Sequence, residues 1–336
     1  MNKFWRSPHL LLVLTTLFWG ANAVVGKLLS NQIPPFTLNT LRWVVAVAIL
    51  VPLARRGEGE KLRHWRSRWR PLTVMAITGV LGFNALVYLG VHYTSAINAA
   101  LINSFAPVMI ALLSFLFFGE GLHKRQVLGM VMAFAGVIWI LSRGDLSVIL
   151  SLQFNYGDLI ILVAILLWSI YSLAVRRVVR YMSNLAATTI SSVLGLVALV
   201  PVSLWEIKSQ NPVYFGWEAL AGVVYLGVFC SVLAFLWWNY GVARLGPARA
   251  AVFMYLTPLF TVLLSYIMLG EVIEAGQVTG GILVMLGVYL TSGTPAGNGR
   301  VAVIGDAAAG KGFGSPHVLV KTFLLAVKIL LVRKEK

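Results

Sequence analysis

The sequence predicts an all-α integral membrane protein with ten transmembrane helices, and three observations support that prediction. Hydrophobic residues make up 59% of the 336 positions and charged residues only 11%, whereas soluble domains average about 45–50% apolar and about 25% charged residues. The apolar residues form runs of roughly 20, the length that a spanning helix needs. Basic residues fall in short clusters between these runs. A soluble fold does not fit this pattern.

Proline, glycine or charged residues separate the apolar runs, and we interpret the first run as a helix rather than a cleaved signal peptide. It continues from Leu10 to Leu29, which is longer than the apolar part of a signal peptide. The ten predicted spans cover residues 10–29, 35–54, 71–91, 95–118, 125–142, 157–176, 184–205, 217–240, 248–268 and 276–293.

The positions of lysine and arginine predict the orientation of the chain. Nearly all of the 27 basic residues lie before the first span, after the last span or in alternate connections. Because basic loops stay on the cytoplasmic side, both termini are predicted to be cytoplasmic. The net charge of +16 therefore reflects orientation, and we expect no nucleic-acid partner. The basic residues outside this pattern are Lys27, Arg42, Arg143 and Lys208.

The two halves of the chain resemble each other at a spacing of 151 residues. At this spacing Pro107 corresponds to Pro258, and Gln126 corresponds to Gln277. Each half holds five spans, an odd number, so the second half is predicted to be inverted in the membrane, a common plan of secondary transporters. We divide the chain into a first five-helix repeat (1–150), a second, inverted repeat (151–293) and a cytoplasmic tail (294–336).

Two segments at this spacing carry a family resemblance. The sequences FFGEGLHKRQVLGMVMAFAGVIWIL (117–141) and MLGEVIEAGQVTGGILVMLGVYL (268–290) resemble the signatures of EamA repeats, which belong to the drug/metabolite transporter superfamily. The opening FWGANAVVGKLL (18–29) is also similar to that family. The resemblance is closest to bacterial amino-acid exporters of the YddG type. It implies ten helices around a central cavity, a bacterial inner (plasma) membrane and export of amino acids or related metabolites by alternating access.

Polar and aromatic side chains at mid-span depth are the candidates for contact with a solute. Polar groups are costly in lipid, so they tend to face a cavity or a partner helix. Aromatic walls with a few amide and hydroxyl groups suit a small zwitterionic or aromatic solute. The alternative is that each polar residue only ties one helix to another. The predicted substrate-binding residues are Trp19, Asn22, Phe83, Tyr88, Asn103, Trp168, Tyr171, Trp238, Asn239 and Tyr255.

Five further residues are predicted to act in gating or in structure. Arg42, inside the second span, either neutralises helix ends or holds an anionic group of a substrate. Glu120 and Glu271 close the fourth and ninth spans and are expected to be ligands of helix ends or parts of a gate. Pro107 and Pro258 lie in those same spans, where a missing backbone donor bends a helix. Such bends either flex during transport or shape a cavity.

The sequence gives no indication of catalysis, a metal or a cofactor. The only cysteine is Cys230, and the chain has neither an HExxH motif nor paired carboxylates at mid-depth. The absence of mid-depth carboxylates favours a facilitator over a proton-coupled carrier. The stretch Gly305–Lys311 lacks the serine or threonine that a phosphate-binding loop needs, so no nucleotide is expected. The expected partners are a small solute, above all an amino acid, and membrane lipids, with the protein as a monomer.

Other functions remain as alternatives at this point. Within transport, the substrate is alternatively a drug, a nucleobase or a sugar conjugate, although a phosphorylated solute calls for more cations than Arg42 alone. An intramembrane enzyme is a further alternative, but the sequence lacks the catalytic groups that such an enzyme normally uses. A membrane sensor or scaffold without solute flux is the alternative outside transport.

Overall fold

The computed structural model of the chain describes residues 7–29, 32–63, 69–119, 121–153, 155–209 and 216–292. Within these ranges ten helical elements are long and apolar enough to cross a membrane, and each coincides with a predicted span. The prediction of ten spanning helices is therefore confirmed. The helices are α1 (Pro8–Leu29), α2 (Pro35–Arg63), α3 (Trp69–Tyr93), α4 (Ala96–Asn103 and Ala106–Phe118), α5 (Lys124–Leu141), α6 (Tyr156–Val178), α7 (Asn184–Ser209), α8 (Trp217–Leu245), α9 (Pro247–Leu269) and α10 (Ala275–Ser292).

Proline and glycine mark the ends of several helices. Pro8 and Pro35 begin α1 and α2, at positions where a helix does not need the missing N–H. Gly119 and Gly270 follow α4 and α9 with φ angles of 66° and 69°, a left-handed conformation that glycine adopts without strain. These two glycines are related by the 151-residue spacing, so the two halves end the same helix in the same way.

Four segments inside the spans depart from regular α-helix, and they also recur between the halves. A π-helical stretch occupies Ala76–Gly82 in α3, and another occupies Leu226–Leu233 in α8. The chain turns at residues 104–105 between the two parts of α4, and α9 contains a 3₁₀ turn at Phe253–Tyr255. Irregular helix in a membrane is tolerated where it lies against protein rather than lipid, so these segments are expected to face the interior.

Pro107 and Pro258 lie just after two of these irregular segments. Pro107 is in the first turn of the second part of α4, and Pro258 is in the first turn of the helix that begins at Leu256. A proline in the first turn leaves no helical hydrogen bond unmade. Each proline therefore begins a new helical segment after a break in the span.

A side-chain hydrogen bond recurs at the same spacing. The backbone N–H of His123 donates to Gln126 Oε1 at 2.9 Å, and that of Glu274 donates to Gln277 Oε1 at 3.0 Å. Each glutamine thus satisfies a donor that the start of α5 or α10 leaves without a partner in the helix. The matched glutamines in the sequence have matched structural roles.

Helices from opposite halves form most of the contacts. α1 packs against α8 and α9, and α6 packs against α3 and α4. α2 contacts α8 as α7 contacts α3, while α2 also packs on α7 and α5 packs on α10. If each helix of the first half is replaced by the helix five places later, and each helix of the second half by the helix five places earlier, the same pairs result. The boundary near residue 150 and the inverted insertion of the second half stay predictions, and the predicted tail lies outside the described residues.

Large apolar side chains cover the outside of the bundle. On α4, Leu112, Phe115, Leu116 and Phe117 are each more than half exposed. Such a continuous apolar surface is rare on a soluble protein, and it matches the hydrocarbon of a bilayer.

The contact between α5 and α10 is a close approach of two backbones at glycine. A Cβ atom added to Gly136 would lie 2.7 Å from Gly280 O, and one added to Gly280 would lie 2.8 Å from Gly136 O. Gly129 and Gly287 face each other in a similar way. Small residues drive helix association in lipid because they permit such close packing.

We expect Gly136→Ala to lower the free energy of unfolding by about 1–3 kcal/mol, because the new methyl group meets backbone atoms that cannot move aside. Thermal melting of the purified protein in detergent measures this loss. Gly26→Ala in α1 is the matched control, because a Cβ there meets no atom within 4 Å. Equal melting temperatures for the two variants would show that the glycine contact does not hold α5 against α10.

Candidate solute-binding site

Five aromatic side chains meet where α1, α3, α6 and α8 come together, and we call them the aromatic cluster. The ring of Trp19 lies 5.3 Å from that of Trp168 and 5.5 Å from that of Trp238, measured between centroids. Phe83 lies 5.1 Å and Phe235 5.7 Å from Trp168. Trp168 is 2% exposed and Trp238 is fully buried. The predicted tryptophans of the two halves therefore contact each other in the interior.

The indole N–H groups of this cluster differ in their partners. The Trp19 N–H donates to the carbonyl oxygen of Cys230 at 3.4 Å. The N–H groups of Trp168 and Trp238 are buried and have no acceptor in the part of the chain that the structure describes. Buried donors normally have a hydrogen-bond partner. Two unpaired donors beside aromatic rings can donate hydrogen bonds to acceptor groups of a solute.

A basic group lies next to the cluster, and we call Asn22, Arg42 and Ser231 the arginine cluster. Arg42 Nε donates to Ser231 Oγ at 2.8 Å, and Arg42 Nη1 donates to Asn22 Oδ1 at 3.2 Å. These contacts join α2 to α8 and α1. Ser231 Oγ in turn donates to the carbonyl oxygen of Leu226 at 3.0 Å, five residues earlier in the π-helical stretch of α8.

A neutral polar group lies on the other side, and we call Tyr171, Asn239, Thr188 and Asn184 the amide chain. The Tyr171 hydroxyl donates to Asn239 Oδ1 at 2.9 Å, and Asn239 Nδ2 donates to Thr188 Oγ1 at 2.9 Å. The Thr188 hydroxyl donates to Asn184 Oδ1 at 3.2 Å. Asn184 Nδ2 then donates to the carbonyl oxygen of Leu236 at 2.7 Å, which ties α6, α7 and α8 together.

The predicted inversion of the second half places the arginine cluster and the amide chain on the sides of the aromatic cluster that face opposite surfaces of the membrane. Asn22 follows Trp19 by three residues in α1, and Tyr171 follows Trp168 by three residues in α6. Three residues are about 4.5 Å along a helix, and the predicted inversion of the second half makes α1 and α6 run in opposite directions. The arginine cluster thus lies towards the face where α1 ends, which the charge pattern predicts to be external.

Two other predicted binding residues, Tyr255 and Asn103, lie away from these contacts. Tyr255 is buried with its hydroxyl unpaired among the described residues, and its ring lies 6.4 Å from Phe134 rather than against the tryptophans. Asn103 is exposed at the break in α4. Tyr88 lies in α3, but its side chain is outside the described residues.

Apart from Arg42, the predicted gating or structural residues that the structure describes lie at helix breaks or at a helix end. Pro107 is buried in α4 and Pro258 is half-buried in α9, both next to irregular helix. Glu271 is exposed after the end of α9, whereas Glu120 lies outside the described residues. No described contact joins these residues to the aromatic cluster, so their roles stay predictions.

Several residues of the site were not among the predicted ones. Phe235 and Ser231 lie in an apolar run of α8 in which the sequence does not indicate the inward face. Trp43 contacts the Phe235 ring at 4.9 Å, and its own N–H is unpaired among the described residues. Thr188 looks like an ordinary helix residue in the sequence. Only the position next to Arg42 would have drawn attention to Trp43.

Two buried carboxylates lie at helix ends. Glu206 accepts from the backbone N–H groups of Phe36 and Thr37 at 3.1 and 2.7 Å, at the start of α2. Asp158 accepts from the Thr94 hydroxyl at 2.5 Å and from Asn98 Nδ2 at 3.3 Å. Carboxylates stabilise the positive ends of helix dipoles. Both therefore hold helix ends in place.

Ten membrane-crossing helices around buried aromatic, amide and guanidinium groups define a multi-pass membrane protein of the transporter class. The chain belongs to the EamA-like transporter family, whose model matches residues 6–142 and 155–293, within the drug/metabolite transporter superfamily. The family resemblance of the two repeat segments is confirmed.

Several relatives are similar in sequence to this chain over most of their length. The uncharacterized transporter YyaM of Bacillus subtilis (strain 168) is 34% identical over 288 residues, which cover 85% of this chain and 93% of the relative. The aromatic amino acid exporter YddG of Ancylobacter novellus is 27% identical over 265 residues, covering 77% and 88%. A probable terminal-alkyne amino-acid exporter of Streptantibioticus cattleyicolor is 27% identical over 296 residues, covering 87% and 95%. A solved crystal structure with 23% identity has the same fold, with a TM-score of 0.71 over 84% of this chain and 96% of that one.

We expect Tyr171→Phe to lower the free energy of unfolding by about 1–3 kcal/mol, because Asn239 Oδ1 would be left buried without its donor. Thermal melting in detergent measures the effect. Tyr156→Phe removes the same hydroxyl from a side chain that is 83% exposed and should melt like the wild type. A Tyr171→Phe variant that also melts like the wild type would mean that the amide chain does not stabilise the bundle.

Proposed function

We propose that the protein exports amino acids, chiefly neutral or aromatic ones, and related small metabolites. The observation that carries the proposal is the aromatic cluster with its two unpaired indole N–H groups, buried where α1, α3, α6 and α8 come together. Aromatic faces provide apolar contact for a side chain, while N–H donors and the neighbouring guanidinium suit a carboxylate. The names of two relatives, an aromatic amino acid exporter and a probable terminal-alkyne amino-acid exporter, support the same substrate class.

Transport through this site requires the rings to separate. Trp168 and Trp238 are packed against neighbours on almost all of their surface, so a solute has to displace them to bind. The breaks in α4 and α9 and the π-helical stretches in α3 and α8 are the places where backbone hydrogen bonds are irregular. We propose that opening of the site to alternate faces uses these segments.

The proposed mechanism is facilitated transport rather than proton coupling. The buried carboxylates Asp158 and Glu206 hold helix ends, and proton-driven carriers often use a carboxylate deep within a span. Uphill movement of an amino acid into proteoliposomes, driven only by an imposed pH gradient, would contradict this mechanism.

We expect proteoliposomes to exchange labelled phenylalanine, tryptophan or leucine by saturable counterflow. Trp168→Phe keeps an aromatic ring but removes one unpaired donor, so the KM for exchange should rise by about tenfold, the effect of losing a hydrogen bond to a charged group. Counterflow of each labelled amino acid measures the change.

Trp217→Phe is the control for this experiment, because Trp217 is 81% exposed at the start of α8 and should exchange like the wild type. Counterflow of nucleobases, drugs or sugar conjugates in place of amino acids would change the substrate class. The absence of exchange of any solute by folded protein would favour a sensor or scaffold.

We also propose that the protein lies in a bacterial inner membrane, which its similarity to bacterial transporters supports. The distribution of basic residues supports a cytoplasmic location of both termini. Cys230 is buried, so an introduced cysteine can report its own accessibility. In intact cells, a membrane-impermeant maleimide should label Asp145→Cys, in the connection between α5 and α6, and should leave Lys124→Cys at the start of α5 unlabelled. Both positions are exposed. Labelling of the second variant alone would reverse the orientation.

A further inference from the structure

Arg42 is a buried cation without an acidic partner among the described residues. Arg42 is 2% exposed. Its guanidinium donates hydrogen bonds to two neutral acceptors, Ser231 Oγ and Asn22 Oδ1. A guanidinium has five N–H donors, so these two bonds leave part of its donor capacity unused. A buried charge is costly in a membrane unless an opposite charge neutralises it. The surroundings of the Arg42 guanidinium therefore favour the binding of an anion.

The helix that carries Arg42 presents further unpaired polar groups. Asn39 lies three residues earlier, on the same side of α2, and both its amide oxygen and its amide nitrogen are buried without a partner in the described part of the chain. The hydroxyl of Thr40 and the N–H of Trp43 are likewise buried and unpaired there. Several buried polar groups without hydrogen-bond partners on two turns of one helix are unusual in a protein interior.

The contacts of Arg42 place it at the edge of the aromatic cluster. Trp19 donates to the carbonyl oxygen of Cys230, and Arg42 donates to the hydroxyl of the next residue, Ser231. Asn22, the other acceptor of Arg42, lies one turn beyond Trp19 in α1. An anion held by Arg42 would therefore have the indole rings within reach of the rest of the same small molecule.

The amide chain on the opposite side lacks this character. Its hydrogen bonds run in one direction from Tyr171 through Asn239, Thr188 and Asn184 to a backbone carbonyl. Each amide and hydroxyl along it has a partner, and none carries a charge. The two ends of the aromatic cluster thus differ in chemistry, and only the end at Arg42 attracts an anion.

We propose that Arg42, together with the unpaired indole N–H groups of the aromatic cluster, binds the carboxylate of the transported solute, while the solute's side chain lies against the indole rings of that cluster. The proposal rests on the amino-acid transport proposed above and names the group that is recognised. A free carboxylate, rather than the amine, is then the feature common to good substrates. The solute lies in the site with its carboxylate towards the face where α1 ends.

The test compares three probes in competition with labelled phenylalanine during counterflow. L-Phenylalanine has both charged groups, L-phenylalaninamide lacks the carboxylate, and 3-phenylpropionate lacks the amine. In the wild type, phenylalanine and 3-phenylpropionate should compete at least roughly tenfold better than the amide, the effect of a charge-assisted hydrogen bond. In Arg42→Gln this preference should fall to within about twofold. Arg143→Gln removes an exposed arginine that pairs with Glu274 and should keep the wild-type preference.

Thermal stabilisation of the purified protein by the same probes gives a second readout that does not need transport. A folded Arg42→Gln variant that keeps the wild-type preference for carboxylates in both assays would overturn the proposal. If Arg42→Gln does not fold, Arg42→Met provides another neutral variant, because an unbranched apolar side chain needs no hydrogen-bond partner in the interior. Failure of both neutral variants and of Arg42→Lys to fold would assign Arg42 a structural role and also overturn the proposal.

The two proposals fail in different ways. In one outcome, the wild-type protein exchanges no amino acid, but 3-phenylpropionate stabilises the wild type and not Arg42→Gln. That outcome would contradict amino-acid transport and support binding of a carboxylate by Arg42. In the other outcome, the wild-type protein exchanges phenylalanine and phenylalaninamide equally well. That outcome would support transport of amino-acid-like solutes and contradict binding of the carboxylate by Arg42.

Discussion

The cost of an unsatisfied polar group in hydrocarbon governs most of this structure. A helix bonds its own backbone, so ten helices can cross the bilayer without partners for their N–H and C=O groups. The π-helical stretch of α8 departs from that pattern where it lies against other helices. There the Cys230 carbonyl oxygen accepts a hydrogen bond from the Trp19 N–H, and the Ser231 hydroxyl oxygen accepts one from Arg42 Nε. The irregular backbone is thus compensated by the residues that build the candidate site.

Close backbone contact provides the second part of the stability. Helices in lipid gain little from burying apolar side chains, because the lipid is equally apolar, and their association depends on tight packing and hydrogen bonds. The glycine contacts between α5 and α10 bring two backbones together at one edge of the bundle. The remaining helices of the two halves pack against each other around the aromatic cluster, which leaves the site at the junction of both halves.

The two ends of the site differ although the scaffold around them recurs. Trp19 and Trp168 correspond at a spacing of 149 residues, and the same spacing relates Arg42 to Ser191. Ser191 is buried, and its hydroxyl donates to the carbonyl oxygen of Thr188. The repeated helices thus hold a guanidinium on one side of the rings and a neutral hydroxyl and amide network on the other. Such polarity suits a solute that is itself charged at one end.

The extent to which the site was predictable differs from residue to residue. Arg42, Asn22, Tyr171 and Asn239 stood out because polar groups are rare at mid-span depth, and the structure gives each of them a specific partner. Trp19 and Trp168 stood out because the repeat matched them, and their rings do meet. Asn103 satisfied the same criteria but is exposed at the break in α4, because depth along a helix carries no information about rotation around it.

The sequence alone determined the number and length of the spans, the predicted orientation and the spacing of the repeat, because these depend on hydropathy and charge along the chain. Only the tertiary structure decided which side of each helix faces inward. In α8, Trp238 joins the aromatic cluster, whereas its neighbour Trp237 stacks on Phe18 at 5.5 Å. A helix that is apolar all round is compatible with lipid on one side and protein on the other. Its rotation is therefore set by contacts with neighbouring helices, which no local pattern records.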